Sequence, residues 1–338
     1  MAAAIAVRSG RRRWLGLAAA LLALAVLFAA SLAVGARHLE LATVWQALRH
    51  DDGSDAAYIV RALRLPRGIL AVLVGAALGL AGALMQALTR NPLADPGLMG
   101  VEIGASTAIV TGIAFFGVTA PSGYVWFAFA GAMAASVIVY TLGASGRAPT
   151  PERIVVAGAA VTAALGAFVS AVLLLRGEVF DRFRFWVVGS LANRGFDVLW
   201  QVGPFIVAGA LLALALSRGL NVLALGEDTG RALGARAGRI RLAGAVAVTL
   251  LCGAATAAAG PIGFVGLTVP HVARMITGPD NGWVLPYSAV LAPILVLGAD
   301  VVGRVVAAPG ELEVGIVMAF VGAPVFIALC RRTRIAQL

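Results

Sequence analysis

The chain contains 338 residues, of which 61% are hydrophobic and 12% charged, and its net charge is +10. No soluble domain of this size has such a composition, so the sequence predicts an all-α membrane protein that crosses the bilayer several times. The apolar runs are continuous rather than alternating, which excludes a transmembrane β-barrel.

The basic residues are all arginine, since the sequence contains no lysine. A phosphate-binding P-loop requires a lysine, so any ATP that drives this protein must be bound by another subunit. The arginines lie in short segments between apolar runs, which argues against a nucleic-acid partner. Cys252 and Cys330 fall in predicted spans and the three histidines are scattered. We therefore expect no disulfide, metal or other cofactor on this chain.

The first predicted span follows a basic N-terminus. Arg8 and Arg11–Arg13 precede the apolar run Trp14–Val34, whose roughly 21 residues are enough to cross a bilayer. A cleavable signal peptide is the alternative, because Ala33–Ala36 resembles a cleavage site. The run is long for a signal peptide, which favours a retained first helix with its N-terminus inside.

Nine further segments give a total of about ten crossings, and eight of the nine are regular apolar runs. Gly260–Thr277 is the exception, because Gly and Pro interrupt it as they do in segments that are buried in protein or line a cavity. Short helices at the membrane surface are predicted at Leu39–Leu48 and Phe183–Leu191. The regular runs after the first lie at about 64–88, 98–116, 124–142, 154–175, 196–216, 242–259, 283–302 and 314–329.

The charge distribution predicts the orientation of these spans. With both termini in the cytoplasm, sixteen of the arginines and six of the acidic residues lie on the inner side, which then carries the whole net charge of +10. The positive-inside rule predicts an excess of this sign.

The most prominent inner segment is Ser217–Arg241, which carries five arginines together with Glu227 and Asp228. It is predicted to form one or two short helices, interrupted at Gly226 and Gly234. We interpret it as a place where this protein contacts another one. An ordinary basic loop is the alternative, and composition alone favours the loop.

Charged residues are nearly absent from the middle of the predicted spans. Glu102 lies close to an inner end, and Asp300 and Arg304, four residues apart near an outer end, can pair on one helix face. A proton- or sodium-coupled carrier usually needs a buried carboxylate relay, which the sequence lacks. Two classes remain: the membrane subunit of an ATP-driven importer, and a passive channel or ion-coupled carrier. ATPase activity that appears only with an added cytoplasmic ATPase would distinguish them.

An ordered series of motifs along nearly the whole chain resembles the FecCD-type permease family, which imports iron–siderophores, haem and vitamin B12. The motifs are Arg64-Leu-Pro-Arg67, Gly75-Ala-Ala-Leu78, Gly82-Ala-Leu-Met-Gln86, Asn91-Pro-Leu-Ala-Asp-Pro-Gly97, Gly189-Ser-Leu191 after Trp186, Leu225-Gly226 with Leu233-Gly234, Gly263-Phe-Val-Gly-Leu267, Pro270-His271 with Arg274, Asp300 with Arg304, and Gly322-Ala-Pro324.

The resemblance implies a single permease domain over residues 1–338 with the type II ABC importer architecture, in a bacterial cytoplasmic membrane. The partners that it implies are a second permease, identical or similar, two ABC ATPases that bind the ATP and Mg²⁺, and an extracytoplasmic binding protein. The chain itself would perform no chemistry. The expected substrate is a ferric siderophore, of the catecholate type, with haem and vitamin B12 as alternatives.

The resemblance also assigns roles to particular residues. Binding-protein docking falls to Arg64, Arg67 and Arg304, whose other interpretation is anchoring at the headgroups or pairing with Asp300. The ATPase-coupling residues within 217–241 are Gly226, Glu227, Asp228, Arg231, Leu233 and Gly234. The translocation pathway and its gates would include Asn91, Pro92, Trp186, Gly189 and Ser190, although Trp186 is equally suited to anchor the chain at the membrane interface.

Four positions depart from the family pattern. Glu313 stands where many members have Pro, and Asn281-Gly282 replaces a common His-Arg. Gly230 replaces a common Ala, which we expect to loosen its short helix by up to ~1 kcal/mol.

Overall fold

A computed structural model describes residues 10–35, 38–118, 121–144, 151–232, 234 and 236–331. The regular secondary structure of these residues is helical throughout, and the fifteen α-helices are α1 (Gly10–Ala33), α2 (Leu41–Arg49), α3 (Asp55–Tyr58), α4 (Leu65–Thr89), α5 (Val101–Phe116), α6 (Pro121–Gly143), α7 (Pro151–Leu175), α8 (Gly177–Val187), α9 (Phe196–Ala215), α10 (Ser217–Ala224), α11 (Glu227–Ala232), α12 (Ala237–Ala259), α13 (Val265–Thr277), α14 (Asn281–Val306) and α15 (Val314–Arg331). A π-helical turn, Ile59–Arg64, joins α3 to α4.

The described part of the chain has seven helices that are long and apolar enough to cross a membrane: α1, α4 with its preceding turns, α6, α7, α9, α12 and α14. Shorter apolar helices cover Val101–Phe116 and Val314–Ala328. These nine helices and α13 correspond to the ten predicted segments. Because only seven of the ten are long and apolar enough to cross a membrane by themselves, ten is an approximate number of crossings. The expected break in Gly260–Thr277 is present, because α13 is only 13 residues long and begins at Val265.

The predicted surface helix at Phe183–Leu191 is displaced in the structure. The helix is α8, which begins at Gly177 and ends at Val187. Gly189 has a φ of +76°, a left-handed conformation that glycine adopts readily and that ends the helix. The prediction was therefore wrong about the last four residues, which form a turn after α8.

The core of the fold is the close packing of α4 against α14 and α13. Gly75 and Gly79 lie one turn apart on α4. A Cβ at Gly75 would lie 2.6 Å from Pro293 Cα, and one at Gly79 would lie 2.5 Å from Ser288 O. Gly82 contacts the backbone of Gly266 in the same way. Small residues thus let the helix backbones touch, as in other membrane proteins.

Pro270 inside α13 has no N–H, so the carbonyl of Gly266 four residues earlier lacks its helical partner. A buried side chain on α4 binds the carbonyls of this first turn of α13. Gln86 Nε2 donates to Gly266 O at 3.0 Å and to Leu267 O at 3.2 Å. Its Oε1 accepts a hydrogen bond from Arg274. Irregular backbone at this depth needs such partners, because lipid supplies none.

Helix α14 connects the two ends of the bundle over about 39 Å, given 1.5 Å per residue. Its first turn contacts α10. Near its other end it carries Asp300 and Arg304, which lie close to the start of α4. We call these the α10–α11 end and the arginine end of the molecule.

Candidate functional sites

The arginine end is built around one buried carboxylate. Asp300, whose side chain is 1% exposed, accepts from Arg67 Nε at 3.0 Å and lies 2.8 Å from Arg67 Nη2. Arg304 Nη2 lies 3.0 Å from the other carboxylate oxygen, an ion pair without hydrogen-bond geometry. The predicted pairing of Asp300 with Arg304 is therefore present. We call Arg64, Arg67, Asp300, Arg304 and Glu311 the arginine cluster.

Two of the predicted docking arginines also cap the C-terminus of α1. Arg64 Nη1 donates to Leu32 O and Ala33 O at 2.8 and 2.9 Å. Arg304 Nη1 donates to Ser31 O and Val34 O at 3.0 and 3.1 Å. The last carbonyls of a helix lack partners within it and attract cations. Both arginines are buried, so they have a structural role whatever else they bind.

Arg67 makes a second ion pair, and this one is accessible. Its Nη1 lies 2.6 Å from Glu311 Oε2, and the Glu311 side chain is 39% exposed. Glu311 stands in the loop between α14 and α15. It is the more accessible of the two carboxylates on Arg67, because Asp300 is almost fully enclosed.

A cavity of about 680 Å³ opens beside this cluster. It is lined by Arg64, Arg67 and Arg304, the three arginines assigned to docking, and also by Arg194 from the turn before α9. Burial lowers the pKa of Arg194, and the charge of Asp197 opposes that effect. Its Nε is buried without a hydrogen-bond partner in the described structure. Arg194 is not among the predicted docking residues, because one arginine in a mixed-charge segment has no distinctive spacing.

The predicted gating residues after α8 form a junction between three helices. Ser190 N donates to Ala259 O at the end of α12 (2.7 Å), and Gly315 N in α15 donates to Gly189 O (3.0 Å). A Cβ at Gly189 would clash with Pro261 O. Trp186 is 3% exposed and packs on Phe183. A buried Trp186 does not fit the alternative role of interfacial anchor.

Asn91 and Pro92 lie in the turn that ends α4, at the opposite end of this helix from Arg67. Asn91 Oδ1 accepts from Leu93 N at 2.9 Å, a local bond that stabilises the turn. Asn91 is exposed and Pro92 half-buried. Asp95 follows, and burial raises the pKa of its carboxyl although the Gly97 N–H bonds it.

The predicted coupling segment forms α10 and α11, separated by Gly226 at a φ of +101°. Gly234 has a φ of +79°, so both glycines interrupt helices as expected. The backbone at Glu227, Asp228 and Arg231 is helical, but their side chains, and Leu233 as a whole, lie outside the described residues. A Cβ at Gly230 would lie 3.6 Å from Val222, so the pocket would accept an alanine.

The sequence of this chain matches the profile of a known protein family. The sequence profile of the FecCD transport family matches residues 22–332. The chain belongs to this family. The resemblance of the motifs is thereby confirmed, and the chain is a multi-pass membrane permease of a bacterial ABC importer. Its relatives are transport subunits that are not enzymes themselves.

Individual relatives of this FecCD permease match over almost their full length. It is 49% identical to the ferric enterobactin transport system permease protein FepD of Escherichia coli over 314 residues, which cover 92% of this chain and 93% of FepD. It is 36% identical to the hemin transport system permease protein HmuU of Yersinia pestis, over 93% of this chain and 94% of HmuU.

A solved structure supports the fold of the FecCD permease. The structure is an inward-facing metal-chelate type ABC transporter, and the two superpose with a TM-score of 0.83 at 27% identity. The match covers 93% of this chain and 98% of the other. The predicted all-α permease architecture is therefore confirmed.

Proposed function

We propose that this chain is the membrane-spanning permease subunit of an ATP-driven importer that carries a ferric siderophore of the catecholate type into the cytoplasm. The observation that supports this substrate is the 49% identity to FepD over 92% of the chain. Haem is the second candidate, because HmuU is named a hemin permease and is 36% identical. Vitamin B12 is the third, and it rests on the family resemblance alone.

The importer would contain a second permease, identical or similar, two cytoplasmic ABC ATPases that hold ATP and Mg²⁺, and an extracytoplasmic binding protein. The absence of lysine supports the separate ATPase, since a P-loop cannot be built from this sequence. Transport would follow alternating access, with the two permeases moving about a shared pathway. Both termini would lie in the cytoplasm.

At the α10–α11 end, the segment 217–241 would dock into an ATPase. The proposed contact residues are Gly226, Glu227, Asp228, Arg231, Leu233 and Gly234. Two short helices joined at a glycine with a left-handed φ can present both polar faces to a soluble partner. The excess of arginine on this side of the chain supports its cytoplasmic location.

At the arginine end, the binding protein would dock on the cavity lined by Arg64, Arg67 and Arg304. Arg64 and Arg304 are engaged with α1, so Arg67 is the group best placed to receive a carboxylate from the partner. The partner's carboxylate would replace Glu311 on Arg67, since guanidinium forks pair with carboxylates in a fixed geometry. Arg194 offers a further guanidinium in the same cavity.

The pathway would be controlled at two places. The junction of Trp186, Gly189 and Ser190 with α12 and α15 would form the outer gate, because movement of α8 must break the bonds at Ser190 N and Gly189 O. The turn at Asn91 and Pro92 would line the inner opening.

Uptake measurements test the proposed function. Cells that lack this chain and cells that carry it on a plasmid are given a ⁵⁵Fe-labelled catecholate siderophore, labelled haem or labelled cobalamin in turn. The expected result is that only siderophore uptake depends on the chain. If only haem uptake or only cobalamin uptake depended on the chain, that compound would be the substrate instead of a siderophore. If uptake of none of the three depended on the chain, the proposal would be overturned.

A further inference from the structure

A polar junction ties the coupling segment to α14. Asn221, in the middle of α10, points its side-chain amide at the N-terminus of α14. Asn221 Nδ2 donates to Asp280 Oδ1 at 2.7 Å. Asn221 Oδ1 accepts from Asn281 N at 2.8 Å and from Asn281 Nδ2 at 3.0 Å. Three of the four hydrogen bonds that one amide can form are thus made to two adjacent residues.

Asp280 is also the N-cap of α14, and it reaches a third helix. Its Oδ1 accepts from Gly282 N at 2.9 Å, which satisfies one of the free N–H groups of the first turn. Its Oδ2 lies 3.9 Å from Arg13 Nη1 in α1. Tyr287 Oη, about two turns further along α14, donates to Arg13 O at 2.6 Å. The start of α14 is therefore held by α10 on one side and by α1 on the other.

Apolar contacts hold α10 through a second face, on which Leu220 and Leu223 lie three residues apart. Leu220 is fully buried and Leu223 is 5% exposed. At Gly226, which separates α10 from α11, an added Cβ would have no other atom within 4 Å. Helix α10 is thus anchored in the bundle, whereas α11 is joined to it across an open glycine.

The far end of α14 carries Asp300 and Arg304 of the arginine cluster. The helix is continuous between these two ends, although Pro286 and Pro293 lie inside it. Because a continuous helix transmits displacement along its axis, a force on α10 can reach Arg67 and the cavity through α14. We propose that Asn221 is the positioning residue that couples movement of α10 to α14 and, through α14, to the cavity at the arginine end. This inference rests on the proposed function, in which an ATPase moves the coupling segment.

The chemistry of the contact suggests a pair of exchange variants. Asn221→Asp places a carboxylate against Asp280, so an acceptor faces an acceptor and two negative charges meet. Adding Asp280→Asn restores a donor opposite the new carboxylate. Because Asp280 Oδ1 accepts from both Asn221 and Gly282 N, the new amide must turn its NH₂ group toward residue 221 and its oxygen toward Gly282 N, where Asn is a good N-cap. The double variant therefore rebuilds the bond with donor and acceptor reversed, and it serves as the control for folding.

The experiment uses the assembled importer in nanodiscs, in a variant that lacks both native cysteines. A new cysteine in the cavity wall, Ala192→Cys, then reports changes at the arginine end. The measured quantity is the rate of maleimide labelling at residue 192 with and without ATP. We expect ATP to change this rate by about fivefold or more, the lower range of ordinary coupling between sites. Asn221→Asp should abolish the ATP effect, and Asn221→Asp with Asp280→Asn should restore it.

Two outcomes would overturn the inference alone: an undiminished effect in Asn221→Asp, or failure of the double variant to restore the effect when its thermal unfolding matches that of the parent. No ATP effect in the parent protein would overturn both the inference and the ATP-driven function on which it rests. The result is separable from the proposed substrate. An importer that takes up haem rather than a siderophore would still show the ATP effect and its loss.

Discussion

At the scale of single residues, Asp300 organises the arginine end. Two guanidinium groups approach this buried carboxylate, at 2.8 Å from Arg67 and 3.0 Å from Arg304. Removing one partner of a buried ion pair leaves the other charge without compensation, and this is far more damaging than the loss of an exposed pair. The two arginines would then be close together in a poorly solvated site.

Asp300→Asn is therefore expected to destabilise the protein by about 3–5 kcal/mol, measured as thermal unfolding of the purified chain in detergent. The control is Asp181→Asn, which breaks the exposed pair between Asp181 and Arg184 on α8 and should cost about 0–1 kcal/mol. Equal unfolding temperatures for the two variants would contradict a central role for Asp300.

Glu311→Gln is expected to tighten docking of the binding protein. The variant keeps the shape of the side chain but removes the charge that competes for Arg67. The expected gain in affinity is about two- to fivefold, in line with the value of a partly exposed ion pair. A binding titration on the importer in nanodiscs measures it, with Glu313→Gln as the control in the same loop. Weaker or unchanged docking would exclude displacement of Glu311.

At the scale of helices, glycines decide how closely α4 approaches α14. The sequence motif shows Gly75 and Gly82 but not what they touch. In the structure, the place of a side chain at Gly75 is taken by the backbone of Pro293, and at Gly79 by Ser288 O. Backbone atoms cannot rotate away as a flexible side chain can, so these positions tolerate no Cβ without a shift of one helix.

Gly75→Ala should consequently destabilise the purified chain by about 1–3 kcal/mol, the usual effect of overpacking. The control is Gly203→Ala in α9, where a Cβ would meet no atom within 4 Å and the better helix propensity of Ala should act alone. Thermal unfolding in detergent compares the two. A stable Gly75→Ala variant would mean that α4 and α14 can separate at no cost.

At the scale of the whole molecule, α14 places the arginine cluster and the α10–α11 segment at opposite ends of the bundle. The segment 217–241 carries five of the arginines that the charge distribution assigns to the inner side. The structure fixes the two ends relative to each other, and the positive-inside rule predicts which of them faces the cytoplasm.

Cysteine labelling in intact cells tests that orientation. In a chain without its native cysteines, Asp52→Cys at the arginine end should react with a membrane-impermeant maleimide from outside. Arg239→Cys at the α10–α11 end should react only after the cells are permeabilised. Both positions are exposed. The reverse pattern would show that the chain is inserted the other way round.

The sequence by itself determined the class of the protein, about ten apolar segments, the break before α13 and the arginine-rich segment 217–241. These features are local: a long apolar run, a pair of prolines or a cluster of arginines acts through its near neighbours alone. The predicted i,i+4 pair of Asp300 and Arg304 belongs with them, because helix geometry fixes its spacing.

Only the tertiary structure decided where the arginines point and what they bind. Arg64 meets the end of α1 some thirty residues away, Arg67 meets Asp300 across 233 positions, and Asn221 meets Asp280 across 59. Such partners are set by which helices pack together and at what rotation. The apolar faces of the helices are nearly uniform along the chain, so the sequence indicates neither which helices pack together nor how each helix is rotated.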